Sequence, residues 1–210
     1  MTFTHHQSAH CESGVMSSLL TNAGFAISEP MVFGLSSALA FAYLPIIKLN
    51  GMPLIAYRMP PKHIINTLNK RLGLAIQTRR FSNAEAGQQA LDQALARQQA
   101  VGLQTSVFWL PYFPAEMRFH FNAHNLLVYG KAQNNYLISD PVFEDVVQCD
   151  AAALSKARFA RGALAPKGLM YTLGNTPAEP DWPQLIRQSI KATSRILDGL
   201  PLPWIGVRGI

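Results

Sequence analysis

The sequence predicts an α+β fold in which N-terminal helices pack on an antiparallel sheet. Helical patterns dominate the beginning of the chain from Cys11, whereas most apolar runs between Gly102 and Gly174 have strand length and follow one another closely. Consecutive short strands pair antiparallel, and helices followed by strands segregate into layers. Composition is the third observation: 49% hydrophobic and 14% charged residues over 210 positions suffice to bury a sizeable core and offset the entropy of ordering. That length fits one domain with an appendage. The expected division is a main domain over 1–175 and, over 176–210, a helix with a proline-containing junction.

Val15, Met16, Leu19 and Leu20 recur at helical spacing between Cys11 and Ala23, and Gly24 stands where a C-capping glycine ends a helix. Ser28, Glu29 and Pro30 form a helix start. Gly34 and the small residues after it predict close packing rather than a long rod. An extended stretch runs from Leu49 to Met59 around an Asn50–Gly51 turn. A proline-started helix then ends at Gly73, and "LAIQTRRF" reads as a strand. Asn83 caps a helix through Gln99, and "GLQTSVFWL" follows as an apolar strand. "HNLLVYG" and "NYLISD" form a hairpin, "EDVVQCD" a further strand, "AAALSKARFA" a helix, and "KGLMYTLG" closes the sheet. After a loop at "NTPAEPDWP", the run "QLIRQSIKATSRILDGL" is an amphipathic helix with Leu185, Ile186, Ile190, Ile196 and Leu197 near one face. Pro201, Pro203 and Trp204 follow it.

Several function classes are disfavoured. The longest apolar window, 31–47, is interrupted by Gly34, Ser36, Ser37 and Pro45, short of the ~18 uninterrupted apolar residues a membrane span needs. The polar, His-rich start lacks the basic region of a signal peptide. Two distant cysteines do not make a disulfide scaffold, so a reducing cytoplasm is the expected setting. The net charge of +6 suits an acidic partner, but no aromatic-interleaved basic cluster indicates nucleic acid.

Cys11, His124 and Asp140 are the candidate catalytic set. A thiol attacks as thiolate, and both a helix N-terminus and a neighbouring imidazolium stabilise that anion. Cys11 opens the first predicted helix. If the hairpin turn centres on Gln133, Leu126 faces Asp140, and His124 shares their face because side chains alternate. The His124–Asp140 diagonal is then about 7–8 Å between Cα atoms, within reach of an imidazole and a carboxylate. A one-residue slip would place them on opposite faces. His120, four residues earlier, has the same parity and is the rival base. Cys149 lies in a strand and reads as structural. His5, His6 and His10 lack a C-x-x-C partner and lie in a terminus expected to be mobile, so no metal site is expected there.

These residues resemble the N-terminal domain family of butirosin biosynthesis protein H, within the wider papain-like group that includes C39 peptidases. The resemblance is carried by "HCESGVMSSLL", "SEPMVFGLSSALAFAY", "AHNLLVYG" and "SDP", with "LPLPWIGVRGI" similar to the family's junction segment. It implies a papain-like fold, no bound cofactor and a Cys11–His124–Asp140 site. It further implies acyl transfer from the phosphopantetheine thioester of an acyl carrier protein to an amine acceptor. A C39-like peptidase or amidohydrolase and a non-catalytic binding domain are the alternatives. Papain-like enzymes place an oxyanion-hole glutamine about six residues before the cysteine. Gln7, four before Cys11, is the candidate here. The family's usual continuation into a further helical domain is not seen before Ile210.

Overall fold

A computed structural model describes residues 3–49, 51–198 and 202–210. By compactness the chain forms two units, 1–29 with 74–176 and 30–73 with 177–210. The division differs from the one read from sequence: the segment 30–73 groups with the C-terminal residues rather than with the sheet.

The first unit is built on a six-stranded antiparallel sheet. Its strands are β3 (Gln77–Arg79), β4 (Val101–Thr105), β5 (His124–Ala132), β6 (Asn135–Ser139), β7 (Val147–Asp150) and β8 (Met170–Thr172), in the order β3-β8-β4-β5-β6-β7. The last strand therefore inserts between β3 and β4 instead of closing an edge. Helix α1 (Cys11–Asn22) lies against β4 and β5, and α4 (Ala84–Ala96) and α5 (Ala151–Arg158) complete the unit. Asn83 caps α4 through the amides of Glu85 and Ala86. That helix stops at Ala96, short of the expected Gln99, and Gln98 takes a left-handed φ of 57° just beyond it. Leu91, Leu103, Leu126, Val128, Ile138 and Leu154 fill the core between sheet and helices.

The β5–β6 hairpin carries an irregularity that places the site. Next to the turn, Ala132 faces Asn135 and Lys131 faces Tyr136, one residue out of the register that a turn centred on Gln133 gives. A bulge between Val128 and Gly130 then restores the expected pairing, with Val128 opposite Ile138 and Leu127 opposite Ser139. Continued without it, the turn's register would set Asp140 opposite Leu127, on the face away from His124. Because one extra residue flips every following side chain, Tyr129 in the bulge puts Asp140 on the His124 face.

The second unit contains α2 (Glu29–Leu35) from Pro30 onward, a hairpin of β1 (Leu39–Leu49) and β2 (Met52–Arg58), α3 (His63–Leu72) and α6 (Trp182–Asp198). The extended stretch expected from Leu49 begins ten residues earlier, at Leu39, because the apolar run before it is β-branched and aromatic at its far end. Asn50 lies outside the described residues, and Gly51 carries the turn's positive φ of 81°. Gly73 ends α3 in the left-handed conformation, as expected. The Arg71 guanidinium donates to Leu35 O, to Ser37 Oγ (3.0 Å) and to Ser189 Oγ (2.9 Å), joining α2, α3 and α6. The expected extension of α6 to Leu200, and Pro201, lie outside the described residues.

Candidate active site

Cys11 is the first residue of α1 and is partly exposed. His10 caps the helix, its Nδ1 accepting from the Ser13 amide. The helix can approach the far side of the site because residue 14 is glycine. A Cβ there would lie 2.7 Å from Ser8 Cβ and 2.8 Å from Pro141 Cβ. Gly14 thus sets the first turn of α1 directly against the residue that follows Asp140.

His124 begins β5 and Asp140 follows β6; both are buried, at 3% and 0% exposure. His124 Nε2 is 2.7 Å from Asp140 Oδ2. The expected diagonal is thus a direct hydrogen bond, with the ring's other nitrogen left to serve Cys11. Burial disfavours a charged ring at His124, but the Asp140 carboxylate, by charge and hydrogen bond, together with hydrogen bonding and charge from Cys11, outweighs it. The ring is raised from its ordinary 6.5 to about 10. It is an imidazolium at neutral pH, and a cation beside the thiol stabilises the thiolate.

Two aromatic residues from the irregular stretch after β4 complete the surroundings. Tyr112 donates its hydroxyl to Asp140 Oδ2 at 2.8 Å, and Asp140 Oδ1 accepts the Val142 amide at 3.1 Å. Burial first, then the charge and hydrogen bond of Asp140, push the Tyr112 phenol well above its ordinary value, so it remains a donor. The Phe113 ring stands edge-on to the imidazole at 5.5 Å and excludes water from the His124–Asp140 bond. Tyr171, across β4, donates to Asn125 Oδ1 at 3.0 Å, beside His124. Its ring lies over Gly102, where a Cβ would come within 2.2 Å of it.

The other sequence candidates separate cleanly. His120 is exposed and stacks on Phe108 at 4.0 Å, which removes it as the base beside Asp140. Cys149 is buried in β7 and its thiol is pushed up to about 12, by burial and then by Asp150. Gln7 donates one amide proton to Val142 O at 3.0 Å, on the loop that follows Asp140. The terminus expected to be mobile is tied down: His5 bonds Ser139 Oγ at 2.6 Å and Phe143 O at 3.0 Å, and Ser8 N donates to Pro141 O. Among the described residues no group of histidines, cysteines and acids is arranged to hold a metal, and no helix is long and apolar enough to cross a membrane. Tyr112 and Gly14 were missed in the sequence. Tyr112 stands in an irregular stretch without periodicity, while Gly14, inside a helix where glycine is unfavourable, was the legible signal.

A cysteine at a helix start, a buried His–Asp pair on an antiparallel sheet and this order of elements define a papain-like cysteine enzyme. Residues 10–141 match the family "Butirosin biosynthesis protein H, N-terminal", and the chain belongs to that family. Residues 152–210 match a domain of unknown function, DUF4872, which includes the segment read from sequence as a junction. No curated protein matches the chain. A solved structure from Bacillus anthracis, described as a C39-like peptidase, is 11% identical over 84% of this chain and 96% of its own, with a TM-score of 0.59. The peptidase domain of Streptococcus ComA, a bifunctional ABC transporter of a quorum-sensing pathway, is 14% identical over 83% of this chain and 100% of its own, with a TM-score of 0.49. At such identities the first of these shows a shared fold.

Proposed function

We propose that the protein transfers an acyl group from the phosphopantetheine thioester of an acyl carrier protein to an amine, through an acyl-S-Cys11 intermediate. The observation that carries the chemistry is the His124 imidazolium, held by Asp140 and bonded to Cys11. The Cys11 thiolate attacks the thioester carbonyl carbon, forming a C–S bond. The carrier thiolate leaves and takes the proton held on His124. The neutral ring then accepts the proton of the attacking amine as the C–N bond forms and the Cys11 thiolate departs. The N-terminal end of α1, with Gln7 as candidate side-chain donor, favours the oxyanion formed in each half. Thioester exchange is nearly isoenergetic, so amide formation drives the sequence forward. Membership in the butirosin H family supports amine acylation in small-molecule biosynthesis, and the net charge of +6 supports an acidic donor. Both cysteines are free, which suits a reducing cytoplasm.

Water in place of the amine would make the same adduct a hydrolytic intermediate, the reading that the C39-like fold supports. The test is product analysis with an acyl-loaded carrier protein, with and without a panel of primary amines. Amide that appears in proportion to added amine, with little free acid without it, supports transfer. Free acid formed at one rate regardless of amine overturns transfer in favour of hydrolysis.

A further inference from the structure

We propose that a cationic groove formed by Arg80, Arg161 and Lys167 binds the phosphodiester at the base of the carrier's phosphopantetheine arm. The inference rests on the carrier-thioester reading for the identity of the anion. The groove is an open depression of about 650 Å³ between the stretch 80–82 and the loop 159–167. Arg80, Arg161 and Lys167 line it, all three are exposed, and no carboxylate lines it. None of the three makes an ion pair among the described residues. Arg79, lying over the Phe81 ring at 4.9 Å, adds a fourth cation beside it, and the nearest acid in sequence is Glu85, in the first turn of α4.

The groove is built rather than incidental. Its apolar wall is the Phe159 ring, which fits only because residues 87 and 168 are glycines. A Cβ at either would come within 2.8 or 2.6 Å of that ring. Lys167 and Leu164 hold left-handed φ values of 54° and 56°, a conformation that costs free energy in residues of these types and persists only when the surroundings impose it. The Phe81 amide donates to Lys167 O and joins the two sides.

The same loop is fastened to the catalytic strand. Asn122, two residues before His124 and 4% exposed, donates from Nδ2 to Arg161 O at 3.2 Å and Ala163 O at 2.8 Å. Gln104, opposite Asn125 in the sheet, donates to Leu164 O at 3.1 Å and Asn122 O at 2.9 Å. A phosphate seated against Arg161 is therefore bound at the end of β5 that carries the base. Arginine and lysine donors match phosphate oxygens, with arginine able to engage two at once. The apolar Phe81 and Phe159 rings suit the dimethyl carbon next to that phosphate.

The test is calorimetric titration of the Cys11→Ala protein with 4′-phosphopantetheine and with pantetheine. The phosphate form is expected to bind about tenfold tighter, to lose that advantage in Arg161→Glu and Lys167→Glu, and to keep it in Lys191→Glu, which matches the charge change on α6. Equal affinity for the two compounds, or an advantage that survives both groove variants, overturns the proposal. A parallel measurement with an acyl N-acetylcysteamine thioester, which has no phosphate, reads Cys11 acylation in otherwise wild-type protein. An adduct there without a phosphate preference removes the groove and leaves the chemistry. A phosphate preference without any adduct upholds the groove as a phosphate site and removes the acyl-transfer reading.

Discussion

Replacing Asp140 by asparagine keeps the shape of the buried pair and removes its charge. In the native protein the ring of His124 is raised from 6.5 to about 10. At ~1.4 kcal/mol per pH unit, that rise favours the charged ring by about 5 kcal/mol. Burial acts against the charged ring, so the carboxylate and Cys11 supply more than this net amount. In Asp140→Asn the largest favourable contribution is gone while burial remains, and the ring is neutral at pH 7. Nitrogen-edited NMR of the imidazole should show wild-type His124 charged through pH 8 and the variant neutral there. Acylation of Cys11 at pH 7 should fall by about 10²–10⁴, the range of a lost acid–base group. Stability changes with the opposite sign to that of a paired carboxylate. A group whose folded pKa is raised contributes fully below its unfolded value, near 6.5, and loses that contribution as pH rises through about 10. Wild-type denaturation midpoints should therefore decline across that window, and the variant should lose the decline. A variant ring that titrates within one pH unit of wild type would mean that the charge on His124 does not come from Asp140.

Other substitutions test the supporting structure. Gly14→Ala forces a methyl into contact with Ser8 and Pro141. Urea denaturation should show about 1–3 kcal/mol of destabilisation, with slower Cys11 alkylation as α1 is pushed from the site. Tyr112→Phe removes one donor from the buried carboxylate. It should cost about 1.5–3 kcal/mol of stability, as for a hydrogen bond to a charged group, while Cys11 still becomes acylated. In iodoacetamide mapping at pH 8, native protein should be modified at Cys11, and Cys149, buried with its thiol pushed up to about 12, only after unfolding.

Sequence legibility followed the range of the interactions. The ends of α1 and α3 were readable because Gly24 and Gly73 sit at caps, a local effect. The His124–Asp140 face was predicted through a register assumption that the bulge at Tyr129 makes right at the site and wrong at the turn. Alternation gives parity along a strand, but a bulge is set by pairing across strands. The insertion of β8 between β3 and β4 depends on contacts far apart in the chain and leaves no local mark. The start of β1 at Leu39, ahead of the extended stretch expected from Leu49, was hidden for a different reason. An apolar run without alternation has no period to separate a strand from a buried helix, and Pro45 is unfavourable in the interior of either. Tyr112 acts from an irregular stretch whose course is fixed only by tertiary packing.

If Cys11 carries the acyl group, intact-mass spectrometry of the protein mixed with an acyl-loaded carrier protein will show it. The expected result is a mass increase equal to the acyl group, mapped to the Cys11 peptide, absent in Cys11→Ala and strongly slowed in His124→Ala. No adduct on Cys11 with any acyl donor, or an adduct that persists in Cys11→Ala, would contradict it.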